Sequence, residues 1–301
     1  MIAHRIAGLT CFDFGDFAGA HGHFQRTVEL YDPARHGDFA NRFGQDPRAA
    51  AEIYDALILW VLGRTDEALR LADRALADAE SAAHPPTMVV VLAIAALLGV
   101  VRYNPEAVAT YSQAASDIVS RYDLPDYMAS RAVFFQGWAK WSDGAEASRL
   151  TEMRRGLAIF REQGFAWLWP TLEAALAKAE ASAGEADVGL RRLDDALAEL
   201  EHTEARCYEA EMHRIRAEIV LKRDPADTAA AEQSLQAAIA IAQSQKARSF
   251  ELRAALSLAK LYRAANRDAH AVLAPAVEGF PPTRQFPELA EAQTLLSALN
   301  P

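Results

Sequence analysis

The chain has 301 residues, 51% of them hydrophobic and 24% charged, with a formal net charge of -10. That composition permits a large core and excludes global disorder. The acidic balance argues against a nucleic-acid binder, which needs a basic face to neutralise phosphates. Cys11 and Cys207 lie far apart with no CxxC, so a disulfide framework is not expected and a reducing cytoplasm is the expected location. The opening stretch MIAHRIAGLTCF has no basic segment followed by a continuous apolar run, so it does not read as a signal peptide.

Length alone allows two divisions. About 150 residues per domain would give two domains, whereas about 40 per helical-repeat unit would give seven or eight units. Alanine takes roughly a fifth of the chain and glycine only 15 residues, which predicts an all-α protein. Helix-stopping signals fall at Gly15, Gly63, Asn104-Pro105, Gly144, Gly184, Asp224-Pro225 and Asn266, most of them spaced by about 40 residues. Pro47, Pro86, Pro125 and Pro170 each precede a long apolar-periodic run, where proline suits a first helical position. The two spacings interlock and predict helical hairpins.

In chain order the predicted hairpins are 2–14 with 16–31, 47–62 with 64–81, 86–102 with 105–121, 126–142 with 145–163, 170–183 with 185–202, 206–223 with 227–244, and 248–265 with 267–278. A capping helix, 286–299, follows the loop GFPPTRQFP. The predicted fold is one all-α, right-handed superhelical solenoid of about seven helix-turn-helix repeats spanning 1–301. Asp32 to Asp46 is the longest irregular stretch and reads as an ordered loop, packed through Phe39 and Phe43. Val89 to Val101 is continuously apolar but too short for a bilayer, which needs about 20 residues, so it reads as a buried helix. Small residues recur after each turn (Ala20 and Phe24; Ala68, Ala72 and Ala75; Ala107, Tyr111 and Ala114; Ala231, Leu235 and Ala238) and predict a surface on which paired helices nest.

The turn and second helix in WVLGRTDEALRLADRALADAE (Trp60 to Glu80) resemble the tetratricopeptide repeat. A wider resemblance rests on HFQRTVELYDPARHGDFANRFGQDPRAAA (His23 to Ala51), CYEAEMHRIRAEIVLKR (Cys207 to Arg223) and KARSFELRAALSLAKLYRAANR (Lys246 to Arg267). These look like the C-terminal repeat region of bacterial signalling proteins that carry a class III adenylate cyclase or a DNA-binding domain, joined to a predicted ATPase module. They are also similar to the repeat regions of large ATPase-type transcription regulators. The chain holds no cyclase catalytic region and no GxxxxGK[ST], so neither activity carries over. The resemblance implies a regulatory or sensory arm, either a piece of a longer parent or a free-standing repeat protein.

No GxSxG, HExxH or glycine-rich phosphate loop is present, and the chain reads as a non-enzyme with no cofactor and no metal. His21 and His23 point apart on a helix and read as a solvated pair; His213 could face a groove. Cys207 reads as a small buried hydrophobe. Acidic residues such as Asp66 read as solvated positions with i,i+4 partners, here Arg70.

By resemblance, tetratricopeptide proteins bind peptides on a concave wall built from the first helix of each hairpin. That phase selects Trp60; Arg131, Phe134, Trp138 and Trp141; Lys178; Glu211, Arg214 and Glu218; and Arg253, Lys260 and Arg263. The groove is thus expected to be aromatic in its middle and mixed in charge toward its C-terminal end. Its arginines suit a carboxylate or phosphate, though Glu211, Arg214, Glu218 and Arg253 could simply neutralise one another, and the tryptophans could be core. Three functions remain open: a protein- or peptide-binding scaffold, a small-molecule effector sensor, or self-association through an N-terminal face of Ile6, Leu9 and Phe12. Nucleic acid and membrane are not expected partners.

Overall fold

The structure is a computed structural model that describes residues 1–125, 128–142, 147–162 and 168–299, with the backbone alone at 147–149. The first hairpin is α1 (Ile2–Asp13) with α2 (Phe17–Glu29), followed by short α3 (Pro33–His36) and α4 (Phe39–Phe43). The next hairpins are α5 (Pro47–Val61) with α6 (Thr65–Ser81) and α7 (Pro85–Val101) with α8 (Pro105–Arg121). Then come α9 (Ser130–Ser142) with α10 (Ala147–Glu162), and α11 (Trp169–Ser182) with α12 (Ala186–Thr203). The last are α13 (Glu209–Arg223) with α14 (Thr228–Ser244), α15 (Arg248–Ala264) with α16 (His270–Val277), and the closing α17 (Pro287–Leu299). The described residues contain no strand, and the predicted all-α repeat architecture is borne out. Predicted residues 126–127, 143–146 and 163, with the Gly144 turn, lie outside the described residues.

Local chemistry explains the helix starts. Asp46 accepts hydrogen bonds from the Arg48 and Ala49 amides at 3.0 and 2.9 Å, with Pro47 in the first helical position. Asn104 accepts from the Ala107 amide at 3.0 Å ahead of Pro105. Such caps satisfy amides that lack a partner within the helix. The stops follow the same logic: Gly15, Gly63 and Gly184 take left-handed φ values of 78, 84 and 93°. Between α7 and α8 that slot falls to Tyr103, at φ 53°.

The nesting surface is largely as expected: Ala20, Phe24, Ala68, Ala75, Ala231 and Ala238 are wholly buried. In α8 the stripe differs from the predicted Ala107, Tyr111 and Ala114 by one residue. Val108, Ser112, Ala115 and Val119 are the buried positions. The cause is Gly99: a Cβ there would come within 2.7 Å of Val108 Cγ2, so α7 and α8 meet at Val108. Val89 and Val91 to Val101 are buried in α7, and among the described residues no helix is long and apolar enough to cross a membrane.

Two packing expectations change. Residues 32–46 form the two short helices α3 and α4, not an unbroken loop, and Phe43 is 41% exposed. α4 is little more than one turn, ended by left-handed Gly44, and Phe43 meets Phe39 edge-on at 5.2 Å beside the Arg42 guanidinium. Asp66 accepts from Thr283 Oγ1 at 2.7 Å, and no Arg70 partner for it is found among the described residues.

That Thr283 bond belongs to a larger feature. The stack curves until late hairpins meet early ones. Ser249 Oγ donates to the Trp60 carbonyl at 2.6 Å, 189 residues apart in sequence. Phe286 meets the Trp60 ring edge-on at 5.4 Å, and Phe280 lies against Gly63. The GFPPTRQFP loop therefore straps α15 and α17 onto the second hairpin. One buried apolar cluster runs from Phe12 to Leu295. Phe12, from the face assigned to self-association, packs inside it against Phe17 at 6.0 Å, while Ile6 stays 55% exposed.

Candidate functional site

Closure of the stack brings α7, α11, α13 and α15 to one place. Tyr103 stands at its centre. Its left-handed backbone costs a non-glycine residue about 1–2 kcal/mol, and its side chain meets residues of α11, α13 and α15. Arg214 Nη2 donates to the Tyr103 hydroxyl at 2.8 Å and Lys178 Nζ donates to it at 3.2 Å. The Lys178 ammonium and the Arg253 guanidinium also lie 4.3 and 4.9 Å from the centre of the ring.

Carboxylates answer the three cations. Arg214 Nε donates to Glu211 at 2.7 Å, and its Nη1 donates to Glu218. Glu218 also pairs with Lys178 at 3.1 Å. Arg253 Nε donates to Glu288 at 2.8 Å and its Nη1 to the Val101 carbonyl at 2.8 Å, with Glu211 3.5 Å away. Trp60 supports the Arg253 guanidinium from 4.7 Å. Glu211 is wholly buried, and Arg214 and Arg253 are nearly so. Lys178 and Glu218 form the open side, with side chains 28% and 40% exposed.

Burial alone would raise the Glu218 pKa, but Arg214 and Lys178 outweigh it and hold the carboxyl at about 2. Lys178 is raised despite its own burial, chiefly by Tyr103 and Glu218. The site is thus a charge-balanced network with one cation and one anion at its mouth. It can exchange internal ion pairs for those of a ligand. Among the described residues, no group of three or more His, Cys, Asp and Glu side chains could hold a metal.

Of the twelve residues selected from the repeat phase, the structure gathers six: Trp60, Lys178, Glu211, Arg214, Glu218 and Arg253. Arg131 lies elsewhere, hydrogen-bonded to Tyr54. Phe134 and Trp138 are buried against α10, where Gly156 lets the Phe134 backbone approach; Trp141 packs on Trp138 at 6.4 Å. Lys260 pairs with Glu291 at 2.7 Å on the surface, and Arg263 is exposed.

Tyr103, Ser249, Phe286 and Glu288 are additions. The signal for Tyr103 was its place beside the Asn104-Pro105 turn, in a slot that three other turns fill with glycine. His21 and His23 do point apart, but neither is merely solvated: His21 Nδ1 lies 2.6 Å from Asp55 and His23 Nδ1 lies 2.9 Å from His4 Nδ1. Cys207 is buried, and burial pushes its thiol pKa up, as for a core side chain.

Stacked helix pairs of about 40 residues, nested through small residues and curving into a superhelix, define a tetratricopeptide-type helical-repeat fold. Among solved structures, the chain is similar to a Rap protein complexed with competence and sporulation factor. The TM-score is 0.62 at 16% identity, covering 96% of this chain and 75% of that one. Among curated proteins it is 26% identical over 251 residues to an uncharacterized protein of Rhizobium meliloti (strain 1021), covering 83% of this chain and 24% of that protein. The chain therefore spans about a quarter of that relative's length. No family model matches the chain.

Proposed function

We propose that this chain is a non-catalytic scaffold that binds a protein or peptide partner at the Tyr103 cluster, as the regulatory or sensory arm of a bacterial signalling protein in the cytoplasm. The observation that carries this reading is the mouth of the cluster. Lys178 and Glu218 are partly exposed, yet both are tied to Tyr103 and Arg214 behind them. A partner carboxylate can take the place of Glu218 on Lys178, and a partner cation can take the place of Lys178 on Glu218. The Rap protein of similar fold is complexed with competence and sporulation factor, which supports a ligand-binding use of this architecture. The much greater length of the Rhizobium meliloti relative suits an arm attached to other modules, such as the adenylate cyclase or ATPase that the sequence resemblance implies.

Closure favours a second reading. Trp60 is covered by Ser249 of α15 and Phe286 of the strap, and Arg253 by Glu288 of α17, so the first-helix wall is not open along its length. A short ligand, including a small effector, fits that mouth better than a long helix does.

Affinity capture from a bacterial lysate, comparing wild type with Lys178→Met/Glu218→Gln, tests the proposal. Loss of a specific partner by at least about tenfold, with an unchanged circular dichroism spectrum, is expected. Equal recovery of every partner by the double variant contradicts it.

A further inference from the structure

Residues of α2, α5 and α6 line a cavity of about 290 Å³ that shares no residue with the Tyr103 cluster. That volume is close to the lower end for small-molecule sites, about 300 Å³. Its deepest polar residues come from α5. Glu52 and Asp55 stand three positions apart, hence side by side on one helical face, and are only 4% and 5% exposed. Leu59 and Leu71 add buried apolar wall. Carboxylates are almost never buried this far without a counter-charge.

Neither carboxylate has a cation of its own. Asp55 meets His21 Nδ1 at 2.6 Å. Nε2 of the same ring lies 3.1 Å from Arg64 Nη1, which can only donate. The ring proton therefore sits on Nδ1, and Asp55 receives a hydrogen bond but no formal positive charge. Arg64 itself is committed to Glu67 by two hydrogen bonds of 2.8 Å. Glu52 shares the one guanidinium of Arg48 with Asp78, at 3.3 and 3.0 Å, and Glu52 Oε2 is buried with no donor among the described residues. Burial raises both carboxyls, Glu52 to about 7 with Asp78 adding to the rise. At the rim, Glu29 is held by Arg26, and Arg74 is exposed without a partner among the described residues. The lining thus holds four carboxylates, and the two deepest are short of cationic donors.

We propose that this cavity binds one organic cation, a primary ammonium or guanidinium on a short carbon chain. Its N–H groups satisfy Asp55 and the orphaned Oε2 of Glu52, and its chain lies along Leu59 and Leu71. The described residues offer no set of three metal ligands, which leaves N–H donors as the matching chemistry. The head group can belong to a free small molecule or to a lysine or arginine side chain of a partner.

The test is isothermal titration calorimetry on the full chain at neutral pH and fixed ionic strength. The probes are n-butylammonium, n-butylguanidinium, tetramethylammonium and neutral n-butanol. Saturable binding of butylammonium or butylguanidinium is expected, at least about tenfold tighter than that of tetramethylammonium, a cation with no N–H to donate, or of butanol. Asp55→Asn and Glu52→Gln are each expected to weaken it by about tenfold or more. Should either variant fail to fold, the comparison among probes on wild type still decides. Terminally blocked Gly-Lys-Gly and Gly-Arg-Gly separate the sources. Binding as tight as the free probe would assign the site to a partner's side chain, and failure where the free probe binds would assign it to a small molecule. No saturable binding of either N–H cation, equal binding of tetramethylammonium or butanol, or unchanged affinity in both folded variants would overturn the proposal.

Discussion

The Tyr103 hydroxyl receives the Arg214 guanidinium at 2.8 Å across 111 residues of sequence. This bond joins the turn of the third hairpin to the first helix of the sixth. It exists only because the stack curves closed. Tyr103→Phe removes it together with the Lys178 bond, while Arg214 keeps both of its glutamates. The expected loss is about 1 kcal/mol, the net worth of a hydrogen bond, read from urea unfolding. An unchanged midpoint would show that the hydroxyl is not engaged in solution.

Arg253 and its two downstream neighbours separate the observed site from the repeat-phase expectation. Arg253→Ala leaves Glu288 and the Val101 carbonyl without their donor inside the core and is expected to cost about 3 kcal/mol or more. Lys260→Ala and Arg263→Ala change exposed side chains and should stay within about 0.5 kcal/mol of wild type. Comparable losses at all three positions would contradict the placement of Arg253 in the axial cluster.

Much of the fold is legible in the sequence because its signals are local. Pro47 and Asp46 start a helix where they stand, and Gly63 ends one. The six gathered residues were recoverable for the same reason, since repeat phase fixes which face of a first helix points inward. Closure was not legible. It sums small rotations over the whole stack, and no single stretch records the resulting pairs: Trp60 with Ser249, Asp66 with Thr283, Tyr103 with Arg214. Tyr103 itself broke a local rule by taking a glycine slot, and breaking such rules is a mark of functional or strained positions.

Two sets of carboxyls set opposite pH limits. Burial, with Asp78, raises Glu52 to about 7, and burial raises Asp13 to about 6. With ordinary values near 4, their stabilising contribution is full below about 4 and is lost as pH rises through 6 to 7. Glu218 and Glu232 are both lowered to about 2; Arg214 and Lys178 outweigh burial at Glu218, and hydrogen bonds from Arg267 and Tyr262 hold Glu232. Their contribution is present above about 4 and is lost as pH falls toward 2. Melting temperature should therefore peak near pH 4 and fall as pH rises from there to about 7, and Glu52→Gln should flatten that alkaline side. An unchanged alkaline slope in that variant would remove Glu52 from the account.

Two left-handed glycines isolate the contribution of the strap. A Cβ at Gly184 meets nothing within 4 Å, so Gly184→Ala should cost only the backbone term of about 1–2 kcal/mol. A Cβ at Gly63 would come within 2.9 Å of the Phe280 ring and 3.1 Å of Arg248 Cβ. Gly63→Ala should therefore cost at least about 1 kcal/mol more, because it also pushes the strap off the second hairpin. Equal losses in urea unfolding would place Phe280 away from Gly63.

The most direct test of closure, on which the site depends, is a distance across it. Spin labels can be placed at exposed Arg70 and Arg284, which line one surface cleft between α6 and the strap, in a Cys11→Ser/Cys207→Ala background. Pulsed electron resonance should give one short, narrow distance distribution. A broad distribution extending to several nanometres would mean an open stack, in which Tyr103, Lys178, Arg214 and Arg253 do not form a site.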